Sequence, residues 1–375
     1  MPTRIKRPSQ EITPAQSKAI TVLSSSLVLR GLRELPQTSR WSVKQVFSGV
    51  GAQLAVSPLG RVVLYSAETR ESSQRVEIAD AELSGAPNVI TVPDEPFIAH
   101  PDFPAAFAWA PEEQLLVAAS GTWQPELHLF DPRSQTFLGR FGAFRVYPTH
   151  LCWSEDGKYF AAASDGSENA KLTLWMPGDS PEKFEPLCEM DRRVFADAPA
   201  TDQSEGDDDQ GNFYGFGATA FRPGERMLAT VLEFDGDWSD DCVLFVRVPT
   251  LEISGRFETT GHVTQLSWSS DGRRLIFCAS GQVHSLDAES GRITSLPFAA
   301  EMCHCHPSLP LCGFYNSWLK NSAAGRIFVA DLQRNTIIDE CRAEGIGDIR
   351  WSSDGRTFYA VARDGTAYLF ESLLP

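Results

Sequence analysis

The sequence predicts an all-β fold, and three observations carry the prediction. One strand–turn–strand pattern recurs along the chain, its apolar runs are split by Ser-x-Asp-Gly or Pro-Gly turns, and further apolar runs closed by Asp or Gly follow it. The clearest copies are "LSWSSDGRRLIFCA" from Leu266 and "IRWSSDGRTFYAVA" from Ile349. A unit of this size cannot bury both faces alone, so its copies must stack on one another.

The pattern occurs seven times, opening at Leu54, Phe107, Leu151, Ala218, Leu266, Cys303 and Ile349. The second and sixth copies, "FAWAPEEQLLVAAS" and "CHCHPSLPLCGFYN", are degenerate at the turn. In each copy an apolar strand meets a tight turn and a second run of small and branched residues, which is a hairpin. A third run follows, as in "ELHLFDP", "KLTLWMP" and "CVLFVRV", and then a shorter fourth, as in "QTFLGRF", "LEISGRF" and "NTIIDEC". Four antiparallel strands per unit make the blade of a β-propeller, here seven-bladed.

Equivalent positions (Val56, Trp109, Trp153, Phe221, Trp268, Cys305, Trp351) are spaced by 53, 44, 68, 47, 37 and 46 residues. Most spacings suit a four-stranded blade of roughly 40 to 45 residues, and two carry insertions. The four tryptophans keep one fixed place in the first strand, which makes them core residues between blades rather than an aromatic cage. After Phe370 only five residues remain, too few for a fourth strand in the last blade. "WSVKQVFSG", Trp41–Gly49, precedes the first copy as a fourth strand should, so it is expected to pair with the C-terminal blade and close the ring. This assigns residues 41–375 to the propeller and residues 1–40 to a partly disordered N-terminal arm. The arm has seven basic residues against Glu11 and Glu34, and it is either a flexible terminus or a segment that engages the acidic loops or a partner.

"TGHVTQLSWSSDGRRL", residues 260–275, resembles a WD40 repeat, including its Gly261-His262 pair, and "ARDGTAYLF", residues 362–370, resembles that family's Asp-Gly-Thr segment before the third strand. The closing Trp-Asp dipeptide survives only as Phe130-Asp131, Leu286-Asp287 and Ala330-Asp331. The "WSxDG" turns are similar also to those of TolB-like propellers and prolyl oligopeptidases. The resemblance covers roughly residues 41–375 and implies a non-catalytic scaffold that binds other proteins.

Composition narrows the function classes. With 42% hydrophobic and 22% charged residues, the chain is too apolar for general disorder. A formal charge of −16 opposes non-specific attraction to nucleic acid or an anionic membrane. No run of about 18 apolar residues and no secretory leader is present, so membrane insertion is not expected. Eight scattered cysteines fit a reducing compartment, cytoplasmic or nuclear.

Two acidic segments interrupt the repeat. Glu189–Phe213 carries eight carboxylates against two arginines, and Glu233–Asp241 carries five with no cation. In blade order both connections emerge on the same face, over blades three and four. One reading is a solvated loop that aids solubility. The sharper one is a docking surface for a basic peptide or tail, formed by Asp207, Asp208, Asp209, Asp235, Asp237, Asp240 and Asp241 with Phe213 and Trp238 as apolar anchors.

No metal or cofactor is expected. The acidic segments lack EF-hand spacing. In "CHCHPSLPLC", Cys303–Cys312, strand alternation points Cys303 and Cys305 to one face and His304 and His306 to the other, so they cannot share one ion. Nor does any linear catalytic motif occur. The competing reading is a propeller enzyme or small-molecule binder with its site in the channel mouth, for which His150, His262, Asp156 and Asp271 are candidates by residue type; as structural groups they would brace strands and hairpins.

Overall fold

The computed structural model describes residues 41–45, 53–66, 75–80, 88–91, 106–119, 125–146, 148–164, 169–178, 183–191, 213–234, 240–317 and 325–372. All lie in a compact unit from Arg40 to Pro375, and the N-terminal arm falls outside them. Within them seven four-stranded antiparallel sheets form, with no helix.

Blade 1 is β2 (Gln53–Val56), β3 (Arg61–Ser66), β4 (Arg75–Asp80) and β5 (Asn88–Thr91); β1 (Trp41–Gln45) precedes it. Blade 2 is β6 (Phe107–Trp109), β7 (Leu116–Ala119), β8 (Glu126–Asp131) and β9 (Thr136–Ala143). Blade 3 is β10 (Pro148–Trp153), β11 (Phe160–Ser164), β12 (Lys171–Pro177) and β13 (Phe184–Asp191). Blade 4 is β14 (Phe213–Phe221), β15 (Met227–Phe234), β16 (Cys242–Arg247) and β17 (Ile253–Glu258). Blade 5 is β18 (Val263–Trp268), β19 (Arg274–Ala279), β20 (Gln282–Asp287) and β21 (Ile293–Ala299). Blade 6 is β22 (Met302–Cys305), β23 (Leu311–Asn316), β24 (Gly325–Asp331) and β25 (Thr336–Ala343). Blade 7 is β26 (Ile346–Trp351), β27 (Thr357–Ala362) and β28 (Thr366–Glu371), and its fourth strand is β1.

The ring closes as the chain ends require. β1 pairs antiparallel with β28, from Trp41 opposite Phe370 to Gln45 opposite Thr366. Trp41 packs on Phe370 and Phe358, with ring centroids 5.3 and 6.1 Å away. The first strand of each blade touches that of the next, and β26 touches β2.

Burial explains which sequence pattern each strand shows. Second strands lie between two neighbours and two adjoining blades, so β11, β23 and β27 are buried at every residue and read as continuous apolar runs. Fourth strands face solvent, and most residues of β13 and β25 are partly or fully exposed. The fixed tryptophans face the preceding blade: Trp109 joins Val63 and Ile78, Trp268 joins Ala229 and Phe245, and Trp351 joins Ile327 and Val329. Trp153 and Trp268 also donate from Nε1 to the carbonyls of Ala108 and Ala220 in the preceding first strand, at 3.3 and 3.0 Å.

Both kinds of open edge are managed. On the outside, β9, β13, β17 and β25 each bulge at the same place, with Leu138, Leu187, Ser254 and Ile338 as the extra residue. A bulge interrupts the ladder that another strand would extend. On the inside, first-strand amides receive side chains from the preceding blade. Cys303 N–H donates to Gln265 Oε1 (2.7 Å), Cys305 N–H to Ser267 Oγ (2.8 Å), Trp351 N–H to His304 Nδ1 (3.3 Å) and Val56 N–H to Asp348 Oδ2 (2.7 Å).

Candidate functional site

The strand order gives the disc two unlike faces. One carries the connections between first and second strands and between third and fourth. Its first-to-second turns include three built alike: Ser154, Ser269 and Ser352 donate from Oγ to Asp156, Asp271 and Asp354 at 2.8, 2.6 and 2.7 Å. The same Oγ accepts the amide of Tyr159, Arg274 or Thr357, while Gly157, Gly272 and Gly355 adopt φ of +67°, +64° and +71°. Asp156 and Asp271 are therefore turn braces: burial raises Asp156, but its hydrogen bonds with Lys158 and Ser154 and the Lys158 charge together hold it below the usual carboxylate range, and the Ser269 hydrogen bond leads in holding Asp271 there against burial. Asp131, Asp287 and Asp331, the last residues of the third strands β8, β20 and β24, cap the amides of Arg133, Ser290 and Gln333 at 2.8 Å each.

The opposite face carries the connections between second and third strands and between blades. Both acidic segments open on it, because Asp191 pairs with Lys171 at the start of β12 and Phe213 pairs with Phe234 at the end of β15. Asp207, Asp208, Asp209, Asp235, Asp237 and Trp238 lie outside the described residues, and of Phe213 only the backbone is described. The two remaining candidates have structural partners. Asp240 is exposed and its Oδ1 accepts Gly261 N–H at 2.6 Å. Asp241 is 2% exposed; its Oδ2 accepts Val263 N–H at 2.7 Å and lies 3.1 Å from His262 Nδ1. Thr259 donates to the Asp241 carbonyl from both its amide and its hydroxyl, at 3.0 and 2.8 Å. Asp241 is thus a brace between blades 4 and 5 with no surface to offer a partner. Gly261 has φ +87°, and a Cβ there would lie 2.1 Å from Ser280 Oγ, which explains the glycine of the Gly-His pair.

The channel walls come from the first strands. His150 sits near the acidic face, next to Thr149 Oγ1 (3.0 Å), and burial with His262 nearby pushes it down to about 4. Cys303 and Cys305 pack toward blade 5 with Ile276 and Cys278, whereas His304 and His306 turn to blade 7, where His306 meets the Trp351 ring at 4.6 Å. Alternation thus divides the Cys-His stretch as the sequence predicts. No group of three or more metal-ligating side chains occurs among the described residues.

At the seam of blades 7 and 1 stands a charged set that residue-type reasoning passes over. Asp348 and Arg350 on β26 face β2. Burial pushes Asp348 up to about 6, against the Val56 amide and the Arg350 charge. Arg350 Nη1 donates to the Val56 carbonyl at 3.4 Å. Beyond blade 1, the Glu113 carboxylate is fully buried, with Oε2 2.5 Å from Arg61 Nε and Oε1 accepting Leu59 N–H at 2.7 Å. Glu113 has φ +55° and occupies the place of Gly60, Gly157 and Gly272, so the degenerate second turn holds an inter-blade ion pair. The sequence signal is positional. The residue before each fixed core position is Ala55, Ala108, Cys152, Ala220, Ser267, His304 and Arg350, and Arg350 alone is charged at neutral pH.

Comparison with known proteins agrees with this architecture. The family model for the WD domain, G-beta repeat, matches residues 135–167, 254–287 and 336–371. No curated protein matches the chain. Among solved structures, a chain of Kuenenia stuttgartiensis hydrazine synthase shares the fold with TM-score 0.63 and 12% identity, covering 92% of this chain and 100% of that one. A chain in the crystal structure of a mitotic checkpoint complex gives TM-score 0.63 and 14% identity, covering 99% and 98%. At such identities the likeness is one of fold. The chain is a seven-bladed β-propeller, three stretches of which match the WD domain, G-beta repeat.

Proposed function

We propose that this propeller is a non-catalytic protein-interaction scaffold whose working surface is the face bearing the two acidic insertions. The asymmetry of the disc carries the reading. One face has short turns braced by their own aspartates, while the other bears the long connections 192–212 and 235–241, with nine carboxylates besides the buried Asp241 against two arginines. A basic peptide or tail is the partner whose charge fits, with Phe213 and Trp238 as apolar anchors among the carboxylates. The WD40 repeats support a binding role, and the checkpoint-complex chain of the same fold belongs to an assembly of proteins. Eight unpaired thiols support a reducing compartment, and we place the protein in the cytoplasm or nucleus.

The test is affinity capture from native extract with full-length wild type beside a variant carrying Asn at Asp207, Asp208, Asp209, Asp235 and Asp237. Asp240 and Asp241 stay unchanged because they hold the blade 4–blade 5 junction. Selective loss of partners from the variant is expected. Identical partner lists would remove the acidic surface from the proposal, and no specific partner in either sample would overturn the scaffold reading.

A further inference from the structure

Blade 6 differs from the other blades at one cross-strand pair. In each blade the fixed position of the first strand lies directly opposite a residue near the start of the second: Trp153 faces Phe160, Trp268 faces Leu275 and Trp351 faces Phe358. The equivalent pairs of blades 1, 2 and 4 are apolar as well. In blade 6 both members are cysteine, Cys305 opposite Cys312, and their sulfurs lie 3.8 Å apart.

The hydrogen bonds fix the kind of pair. His306 N–H donates to the Leu311 carbonyl at 2.9 Å, one step toward the turn, while Cys305 N–H points away from β23 to Ser267 Oγ. Cys305 and Cys312 are therefore a non-hydrogen-bonded pair, the kind whose Cα atoms stand about 4.5 Å apart with side chains on one face. That separation is within the reach of a disulfide. Both thiols are free.

The turn beyond the pair shows what a bond there would do. "HPSLPL", residues 306–311, lacks the Ser-x-Asp-Gly brace of the turns in blades 3, 5 and 7. His306 stands in for it: Nδ1 accepts the amides of Ser308 and Leu309 at 3.0 Å each, and Nε2 donates to the Gly355 carbonyl of blade 7 at 2.9 Å. A covalent link one residue before His306 would fix the base of this turn and, through His306, its hold on blade 7.

We propose that Cys305 and Cys312 form a reversible cross-strand disulfide, open as a dithiol under reducing conditions and closed by a peroxide. The Cys305 sulfur takes one oxygen from hydrogen peroxide to become a sulfenic acid, and the other oxygen leaves as water. The Cys312 sulfur then forms the S–S bond by displacing the sulfenic oxygen, which leaves as a second water with the Cys312 proton. Cys305 is oxidised first because it is 5% exposed and Cys312 is 0% exposed, and burial also pushes the Cys312 thiol well above its ordinary range. A dithiol reductant restores both thiols by exchange.

The test treats the folded full-length chain with hydrogen peroxide, blocks the remaining thiols with a maleimide and maps the linked peptides by mass spectrometry. A link joining Cys305 to Cys312 is expected, with an unchanged circular dichroism spectrum, and dithiothreitol should reverse it. Cys303→Ser should keep the link. Cys312→Ser should lose it, and with it the rise in thermal midpoint that oxidation gives wild type. No such link at an exposure that oxidises the partly exposed Cys341, or a link that joins Cys303 to the neighbouring Cys278 instead, would overturn the proposal. So would a Cys305–Cys312 link that forms only in the denatured chain. If Cys312→Ser does not fold, the mapping of wild type decides.

Discussion

Asp348 Oδ2 accepts the amide of Val56 at 2.7 Å, joining residues 292 positions apart across the seam where the last blade meets the first. Three other inter-blade bonds of this type use neutral side chains, Gln265, Ser267 and His304, and one, to the Val263 amide, uses the Asp241 carboxylate. Ring closure therefore relies on a carboxyl group that burial makes reluctant to ionise.

That reluctance has a definite sign. Asp348 titrates near 6 in the folded chain and near 4 when unfolded. Between these values the folded state binds the extra proton, so this group favours folding at the acid end and becomes a cost as pH rises through 6. Asp348→Asn should raise stability above pH 6 by on the order of 1–3 kcal/mol and change it little near pH 4. Thermal unfolding midpoints of the two proteins across this range test it, and parallel curves would contradict it.

The β1–β28 closure makes a second prediction. Trp41 is partly buried against Phe358 and Phe370, and its strand supplies the outer strand of blade 7. Trp41→Ala should cost about 2–4 kcal/mol in chemical denaturation, and Trp41→Phe clearly less. Equal, negligible losses would mean that the backbone ladder alone closes the ring.

Residues 41–45 show why closure could be read from sequence at all: a strand-like segment before the first copy and a last blade one strand short leave one economical pairing. The alternation of Cys303 to His306 was legible for a similar reason, because strand period is a property of the backbone. Asp348 and Arg350 were not legible as a pair. Nothing local distinguishes a charge pointing at solvent from one pointing across a seam, and Val56, the group they address, lies at the other end of the chain. Asp240 and Asp241 share the composition of the acidic segment, but the Asp241 carboxylate is turned inward onto the Val263 amide, a long-range partner that composition does not reveal.

Glu113 tests what a degenerate turn is for. Its positive φ costs on the order of 1 kcal/mol, which glycine would relieve. The same change removes a buried carboxylate from Arg61 and the Leu59 amide. Losing the partner of a largely buried charge outweighs the relief, so Glu113→Gly should destabilise by about 2–4 kcal/mol. A more stable variant in urea denaturation would show that turn strain dominates.

Asp241 and the Asp207–Asp209 run separate structure from binding within one acidic region. Asp241→Ala leaves the Val263 amide without its carboxylate acceptor at a buried junction and should cost about 2–3 kcal/mol. It should also loosen His262, whose Nδ1 lies beside the same oxygen. Asn at Asp207, Asp208 and Asp209 should shift stability by less than about 0.5 kcal/mol and act on partner capture alone. Unfolding curves and capture on the same three proteins give the comparison. A stability loss from the Asp207–Asp209 variant as large as that from Asp241→Ala would make the run part of the fold's support rather than a surface for a partner.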